Sequence, residues 1–297
     1  LFKPRAQNMR CLNNFLFKAI LILFLIIIPF LKSYCQGSEQ FDTASVSGLK
    51  NTIGGFNALA NSNKISYNVA IGYSAINKST SGFYNSAIGD SALQNCGGSY
   101  NTAVGSKAAV NHYSTKSNVA VGYGALYSAT WAGTNTAIGY QANYSDVGDA
   151  AGGLMNLVAD SNTSFGYQSL FLNISTYIND FNIPYAGLGK YNTGMGAKAL
   201  YANVDGFDHL AIGAGALSEK NVLYGNAAFG YFAHSSGLGG FNSAVGANSL
   251  RYSKGANNVG VGWGTGNTAD SGNIFLEGTS YTGSIFGPFV YQSSTTG

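Results

Sequence analysis

One short phrase recurs along the chain at a nearly constant spacing: Asn, a small or β-branched residue, Ala, Ile or Val, Gly, two variable residues, then Ala and Leu. The glycines of its clear copies are Gly55, Gly72, Gly89, Gly105, Gly122, Gly139, Gly166, Gly196, Gly213, Gly230, Gly246 and Gly262. Successive glycines are 16 or 17 residues apart, except at two places where the separation is 27 and 30 residues. So short a fixed period predicts a stack of similar structural units rather than a globular domain with one central site.

The composition agrees with a stack of short strands and tight turns. The chain of 297 residues contains 41 Gly, 20 Tyr and 18 Phe, and only 9% of its residues are charged. This many aromatic residues and this little charge exclude a disordered chain. The net charge is +3 and the lysines are scattered, so no basic stripe indicates binding to nucleic acid.

The residues just before each glycine alternate as in a β-strand. In Val69-Ala70-Ile71 the outer two residues share one face and Ala70 takes the other. Since the residue directly before the glycine is nearly always apolar, we predict that this position forms a buried stack. The predicted core residues are Ile71, Ile88, Val104, Val121, Ile138, Ile212, Val245 and Val261. The alanines would then form a small-residue outer face, through which copies of the chain are expected to associate.

The second half of the repeat is also apolar. A small residue lies three positions after the glycine and a Leu or Ile follows it, as in Ala75-Ile76, which predicts a second short strand with one small and one large inward residue. Asn opens every copy but one, where His209 replaces it, and stacked copies are expected to form an Asn ladder.

The phrase, as in Asn68-Val69-Ala70-Ile71-Gly72 or Asn135-Thr136-Ala137-Ile138-Gly139, resembles the head repeat of trimeric autotransporter adhesins, and the resemblance covers residues 51 to about 266. It implies an all-β, left-handed parallel β-roll of about twelve coils, assembled as a homotrimer on a bacterial surface. It also implies binding to host matrix or to other cells. The period is a few residues longer than the family's commonest coil. No heptad stalk or C-terminal membrane barrel is present in this sequence, so we expect contact with a membrane only through parts outside this chain.

The N-terminal residues differ from the repeats. Arg10 and Lys18 precede an apolar run over residues 19–31, and small residues lie three and one positions before Gln36. This is the pattern of a secretory signal peptide cleaved before Gln36, although a retained anchor or a lipidated Cys35 stays open. The resulting organisation is upstream residues 1–8 within a signal segment 1–36, a lead-in over 37–50, repeats over 51–270, and a C-terminal cap or connector over 271–297. We therefore expect a secreted or cell-surface protein.

Two insertions, 143–161 and 171–191, interrupt the repeats. Insertions in a solenoid lie on one face, which is often the binding face. The second insertion supplies the predicted ligand-binding residues Phe171, Tyr177, Asp180, Phe181 and Tyr185. The alternative is a drifted coil whose aromatic residues pack on the roll. Aromatic residues that flank the turns offer a second candidate surface for glycans or protein, or else they pack over the coil edges.

The residue types needed for catalysis are sparse. His112, His209 and His234 have no metal-binding companions at close spacing, and the twelve acidic residues are dispersed. The remaining mature cysteine, Cys96, fits a small turn residue. We therefore predict neither enzyme activity, nor a metal, nor a cofactor.

These features predict an exported adhesin head that binds host, matrix or neighbouring-cell ligands, protein or glycan, through a multivalent rod. The alternative is a structural fibre shaft or spacer with no ligand of its own.

Overall fold

The computed structural model describes residues 41–42, 50–61, 65–79, 81–113, 115–129, 132–147, 160–174, 189–204, 206–219, 224–267, 271–276 and 289–290. All of them belong to the compact unit Phe41–Gly297, whereas the unit Leu1–Gln40, with the predicted signal peptide, lies outside the described residues.

Every regular element among the described residues is a short β-strand. In chain order the strands are β1 Phe41–Asp42, β2 Thr52–Gly54, β3 Val69–Ile71, β4 Ser86–Ile88, β5 Thr102–Val104, β6 Val119–Val121, β7 Thr136–Ile138, β8 Ser145–Val147, β9 Thr163–Phe165, β10 Leu172–Ile174, β11 Thr193–Met195, β12 Ala202–Val204, β13 Leu210–Ile212, β14 Ala227–Phe229, β15 Ser243–Val245, β16 Val259–Val261, β17 Ile274–Leu276 and β18 Phe289–Val290.

The strands form one long sheet and one short sheet. In the long sheet each coil contributes one strand, and neighbours pair in parallel and in register from β2 to β17. For example, Ala70 pairs with Ala87 and Ile71 with Ile88. The end strands β1 and β18 pair antiparallel with β2 and β17. The short sheet contains β8, β10 and β12, also in parallel. This architecture confirms the predicted parallel β-solenoid.

The predicted orientation of the strands is wrong. The middle residue of each strand, two positions before the glycine, faces the interior; we call these positions the inner column. Its alanines are all fully buried: Ala70, Ala87, Ala103, Ala120, Ala137, Ala211, Ala228 and Ala244. The residues predicted as core form what we call the outer column, directly before the glycine. In this column Ile88, Val104, Val245 and Val261 are exposed, and Ile71, Val121, Ile138 and Ile212 are only half-buried.

The width of the coil explains this orientation. A Cβ added to Gly194 in the inner column would lie 2.6 Å from the Oγ of Ser169, and one added to Gly260 would lie 2.8 Å from the Cγ of Leu250. The inner column thus abuts the far side of the coil and has room for little more than a methyl group. In the coils after the first, a β-branched side chain does not fit there and takes the outward position, whereas the first coil has Ile53 in the inner column and Gly54 in the outer one.

The second half of the repeat is a turn in most coils, so the prediction of a second strand there is wrong. Ala92 and Leu93 are both buried although they are adjacent, which the alternation of a strand forbids. Positive φ angles at Ser91 (56°) and Leu93 (50°) allow both side chains to point inward. The same pattern recurs at Gln141 and Asn143 and at Gln168 and Leu170. The large core side chains at this turn are therefore Leu59, Ile76, Leu93, Leu126, Leu170, Leu200, Leu217 and Leu250.

Two columns link one coil to the next. The backbone N–H of Asn85 donates to the Oδ1 of Asn68 (2.8 Å), and the same link repeats from Asn51 to Asn273, with the Nδ1 of His209 accepting from Asn226 (3.2 Å). The glycines stack beside this Asn ladder with φ near +130°, and a Cβ on Gly105 would meet the carbonyl oxygen of Gly122 at 2.6 Å. Both predicted columns are confirmed.

Candidate functional site: the exposed columns of the solenoid

An apolar strip runs along the outward face of the long sheet. It consists of the outer column, in which Ile88 is 44% exposed, and of Leu276, which pairs with Val261 beyond the last glycine and is 53% exposed. Met195 and Phe229 extend it between the Ile and Val positions. A row of Val, Thr, Ser and Leu, which includes Val69 and Leu210, lies beside it on the same face. A continuous exposed apolar surface of this kind marks an interaction site in a soluble protein.

The exposed aromatic residues stack from coil to coil into ladders. Tyr67, Tyr84 and Tyr100 stack at centroid separations of 4.8 and 5.3 Å, with interplanar angles of 11° and 7°. These rings lie at the start of the strands, directly before the Asn column. Phe207 and Tyr224 stack in the same way at 4.9 Å. The sequence left open whether these rings form a surface or pack over the coil edges, and the structure shows exposed rings packed on one another.

Two further ladders run side by side over consecutive coils. The edge ladder, directly after the glycines, contains Tyr123, Tyr140 and Tyr167 at 5.3 and 5.4 Å. The turn ladder, four positions further along each coil, contains Tyr127, Tyr144, Phe171 and Tyr201 at 4.9, 5.2 and 5.2 Å.

The edge and turn ladders together, which we call the double ladder, overlap with the coils that contribute strands to the short sheet. Tyr144, Phe171 and Tyr201 each directly precede a strand of that sheet, β8, β10 and β12 respectively. Strand β8 lies in the first predicted insertion and β10 in the second. The insertions therefore begin from adjacent, paired strands next to the turn ladder.

Of the predicted ligand-binding residues, the structure places Phe171 in the turn ladder between Tyr144 and Tyr201. Tyr177, Asp180, Phe181 and Tyr185 lie outside the described residues.

The three histidines are buried. The Nε2–H of His112 donates to the carbonyl of Leu126 (3.0 Å), and its Nδ1 accepts from the hydroxyl of Thr115 (2.8 Å). Desolvation by burial lowers the pKa of His112 to about 4, against the opposing effect of the Leu126 carbonyl. Burial also lowers the pKa of His234 from its ordinary value. The bond to Leu126 joins His112 to the next coil, and burial favours the neutral form of both imidazoles.

Cys96 is buried as well. Desolvation raises the pKa of its thiol to about 11, and the thiol lies 3.5 Å from the carbonyl oxygen of Gly98. A protonated, buried thiol is a poor nucleophile.

Within the part of the chain that the structure describes, no three His, Cys, Asp or Glu side chains are grouped so that they could hold a metal ion. The described residues also contain no helix that is long and apolar enough to cross a membrane.

Sequence reasoning missed the apolar strip, although a signal for it was present. From β3 to β16 the inner column contains Ser164, Gly194 and Gly260 besides Ala, whereas the outer column varies among Ile, Val, Phe and Met. A position that varies only among the smallest residues lacks space, while one that varies in size faces open space or a partner. The short sheet carried no comparable signal, because Ser145–Val147 and Leu172–Ile174 share no common phrase.

Comparison with known proteins gives no family assignment: no family model matches the chain, and no curated protein or solved structure matches it either. The resemblance to adhesin heads therefore stays a prediction that rests on the repeated phrase.

Proposed function

We propose that this chain is the head of an exported surface adhesin, which binds host, matrix or neighbouring-cell ligands through repeated contacts and without catalysis. The observation that carries this proposal is the repetition of the exposed columns. Each coil presents nearly the same outward residues as the coil before it, so any contact that one coil makes can recur along the rod. Weak contacts that recur in this way add up to a high avidity.

The adhesin works as a homotrimer that associates through the apolar strip. The predicted Ala face cannot serve this purpose, because its alanines are fully buried inside each chain. The strip, in contrast, is accessible, since its Ile and Val side chains project outward along the length of the sheet. Closed symmetric association removes such a strip from water on every chain. The number three comes from the resemblance to adhesin heads.

The proposed trimer is tested by placing charge on the strip. Val104→Asp combined with Val245→Asp would bury several uncompensated charges in the assembly, and we expect the protein to become monomeric in light scattering. The matched control is Tyr113→Asp, which also replaces an exposed large side chain by Asp but is not part of the outer column. A double variant that keeps the mass of the wild-type assembly would show that the strip is not the contact.

The adhesive role is tested separately by coating beads with the purified wild-type trimer and counting attached epithelial cells and bound fibronectin and collagen. Attachment above that of uncoated beads supports an adhesin. An intact trimer that attaches to none of these would instead favour the fibre shaft, in which the rod only holds another part of the molecule away from the surface.

A further inference from the structure

The double-ladder segment, coils 122–204, has a surface that the rest of the described rod lacks. Only there do three consecutive coils carry an aromatic ring both directly after the glycine and four positions later: Tyr123 with Tyr127, Tyr140 with Tyr144, and Tyr167 with Phe171. Other described coils carry a ring at one of the two positions or at neither, as at Tyr73 with Asn77 or Ala214 with Ser218. The aromatic pairs therefore form one confined surface, at the coils where the short sheet also occurs.

The two ladders flank a third column. Gln141 and Gln168 occupy the position after the edge ladder, and the Nε2 of Gln168 donates to the Oε1 of Gln141 (3.0 Å). In the preceding coil this position is Gly124, and a Cβ built there would lie 3.3 Å from the ring of Tyr144. The turn ladder thus leans toward the Gln column, with the edge ladder on the other side.

The stacking decides which part of each ring a ligand can reach. Neighbouring rings are nearly parallel, with interplanar angles of 5° to 14°, so each ring face within a ladder is covered by the next ring. The exposed parts are the ring edges, which carry the phenol hydroxyls of all but Phe171. A flat ligand that stacks face to face finds no open face inside a ladder. A ligand with regularly spaced hydroxyl groups finds donors and acceptors at every coil.

The charge of the surface is low. Among the described residues of the edge, Gln and turn columns in this segment and the coil before it, the charged side chains are Lys107 and Lys198, one at each end. The Nζ of Lys107 lies 6.0 Å from the centre of the Tyr123 ring, and that of Lys198 lies 5.5 Å from the centre of the Tyr201 ring. The middle of the surface therefore contains phenols, the phenyl ring of Phe171 and amides, and no charged group among these described residues, which suits a neutral polyhydroxylated ligand better than an ionic one.

The spacing of the rings indicates a polymer. Centroids follow one another at 4.9 to 5.4 Å in both ladders. An extended β-1,4-linked glycan advances by nearly the same distance for each sugar ring, so each coil can meet one sugar. Because successive sugars are turned over relative to one another, alternate sugars present the same edge to alternate coils. We propose that the double-ladder segment binds a neutral, linear β-1,4-linked glycan along the rod axis, with hydroxyl edges of Tyr140 and Tyr144 and the amides of Gln141 and Gln168 as its contacts. This inference rests on the proposed adhesive function and names the ligand class of one of its surfaces.

The test uses the full chain with cellohexaose and chitohexaose as probes, in isothermal titration calorimetry. At least one hexasaccharide should bind, and the corresponding disaccharide should bind more than about tenfold more weakly, because two sugars cannot span the three coils that carry both rings. The double variant Tyr140→Phe with Tyr144→Phe keeps the stacked rings and removes two hydroxyls. We expect it to weaken hexasaccharide binding by about tenfold, which is what the loss of about 1.4 kcal/mol of hydrogen bonding gives. The matched control is Tyr84→Phe with Tyr100→Phe, in the ladder that has no second ladder beside it.

Three results would overturn the assignment. The first is that neither hexasaccharide binds. The second is that the Phe variant at Tyr140 and Tyr144 binds as the wild type does. The third is that these two tyrosines instead control association into larger assemblies, which would make the segment a contact between copies of the chain. Cell attachment that persists without oligosaccharide binding would remove only the glycan assignment. Oligosaccharide binding without cell attachment would remove the adhesive function and keep the site.

Discussion

The inner and outer columns differ sharply although they are adjacent in sequence. Ala120 and Val121 follow one another in β6, yet Ala120 is fully buried and Val121 is only half-buried. The larger apolar residue is the more exposed of the two, which reverses the usual relation between hydrophobicity and burial. The interior of a coil this narrow selects side chains by size, and apolar character alone does not decide which residue is inside. The outer column is then free to serve contacts with other molecules.

The largest expected effect comes from placing the same charge on either side of one strand. Ala120→Asp puts an uncompensated carboxylate into the closed interior, and we expect it to lower the free energy of unfolding by about 3–5 kcal/mol. Val121→Asp puts the carboxylate on the outward face and should change the unfolding of the monomer by less than about 1 kcal/mol. Urea denaturation at low protein concentration measures both. Equal losses in the two variants would contradict the assignment of the inner and outer columns.

The pH dependence of stability tests the burial of His112 inside the solenoid without any substitution. The folded state keeps His112 neutral with a pKa of about 4, whereas an unfolded chain gives His a pKa near its ordinary value of 6.5. The unfolded state therefore binds more protons between these two values, so stability falls as the pH drops from about 6.5 to 4. Each pKa unit corresponds to about 1.4 kcal/mol, so the total loss from His112 is about 3 kcal/mol.

The control for this pH dependence is His112→Cys, since Cys96 occupies the equivalent position one coil earlier. Chemical denaturation at pH 7 and pH 4.5 should give a smaller difference in this variant than in the wild type. His234, whose pKa is also lowered by burial, contributes to the part that persists. An unchanged difference would show that His112 titrates normally in the folded state.

Alanine substitutions at two glycines of one coil compare a glycine that stacks against the next coil with a glycine in a turn that has room for a side chain. Gly122→Ala would force a side chain into a backbone with φ of +127° and against Gly139 of the next coil, so we expect a loss of about 2–3 kcal/mol. Gly124→Ala meets only side-chain atoms at 3.3 Å or more, in a left-handed conformation that Gln141 and Gln168 also adopt, and should cost about 1 kcal/mol. Melting temperatures of both variants check the order, and a larger loss at Gly124 would contradict it.

The smallest effect is expected on the outside of the coils. Tyr84→Ala removes the middle ring of a three-ring ladder and should cost about 1 kcal/mol, because two stacked contacts are lost while the ring remains half exposed. Tyr113→Ala, an exposed tyrosine outside the ladders, should cost less than about 0.5 kcal/mol. Equal melting temperatures for the two variants would show that the ladder adds nothing to stability.

Repetition made much of the fold predictable. The recurrence of Asn, Ala and Gly at fixed offsets placed the parallel strands, the Asn ladder and the stacked glycines, and register in the structure follows these offsets from β2 to β16. The direction of the strands was not predictable in the same way. A three-residue strand can turn either its middle residue or its two end residues toward the core. The larger side chains of the outer column favoured the second arrangement, which is wrong. The turn that buries Ala92 and Leu93 was also missed, because positive φ at Ser91 and Leu93 is unusual for residues other than glycine.

The candidate sites, like the fold, were predictable from the sequence only in part. The sequence shows aromatic residues at a constant offset from the glycine, such as Tyr123 and Tyr140. It also shows that the two insertions lie where the separation between successive glycines is longer than 17 residues. Two features were not visible in the sequence, because they depend on distances between coils. The rings stack face to face and expose only their edges, and the turn ladder leans toward Gln141.

The sequence by itself determined the periodic elements of this protein: coil length, the Asn and Gly columns, and the parallel pairing of equivalent residues. Each follows from a local pattern repeated at one spacing, since identical coils place identical residues at the same height. Only the tertiary structure decided which face of each strand is inside. The free volume within a coil depends on both of its sides at once, and Leu126 and its equivalents fill that volume so fully that, between the two ends of the long sheet, only small residues fit opposite them.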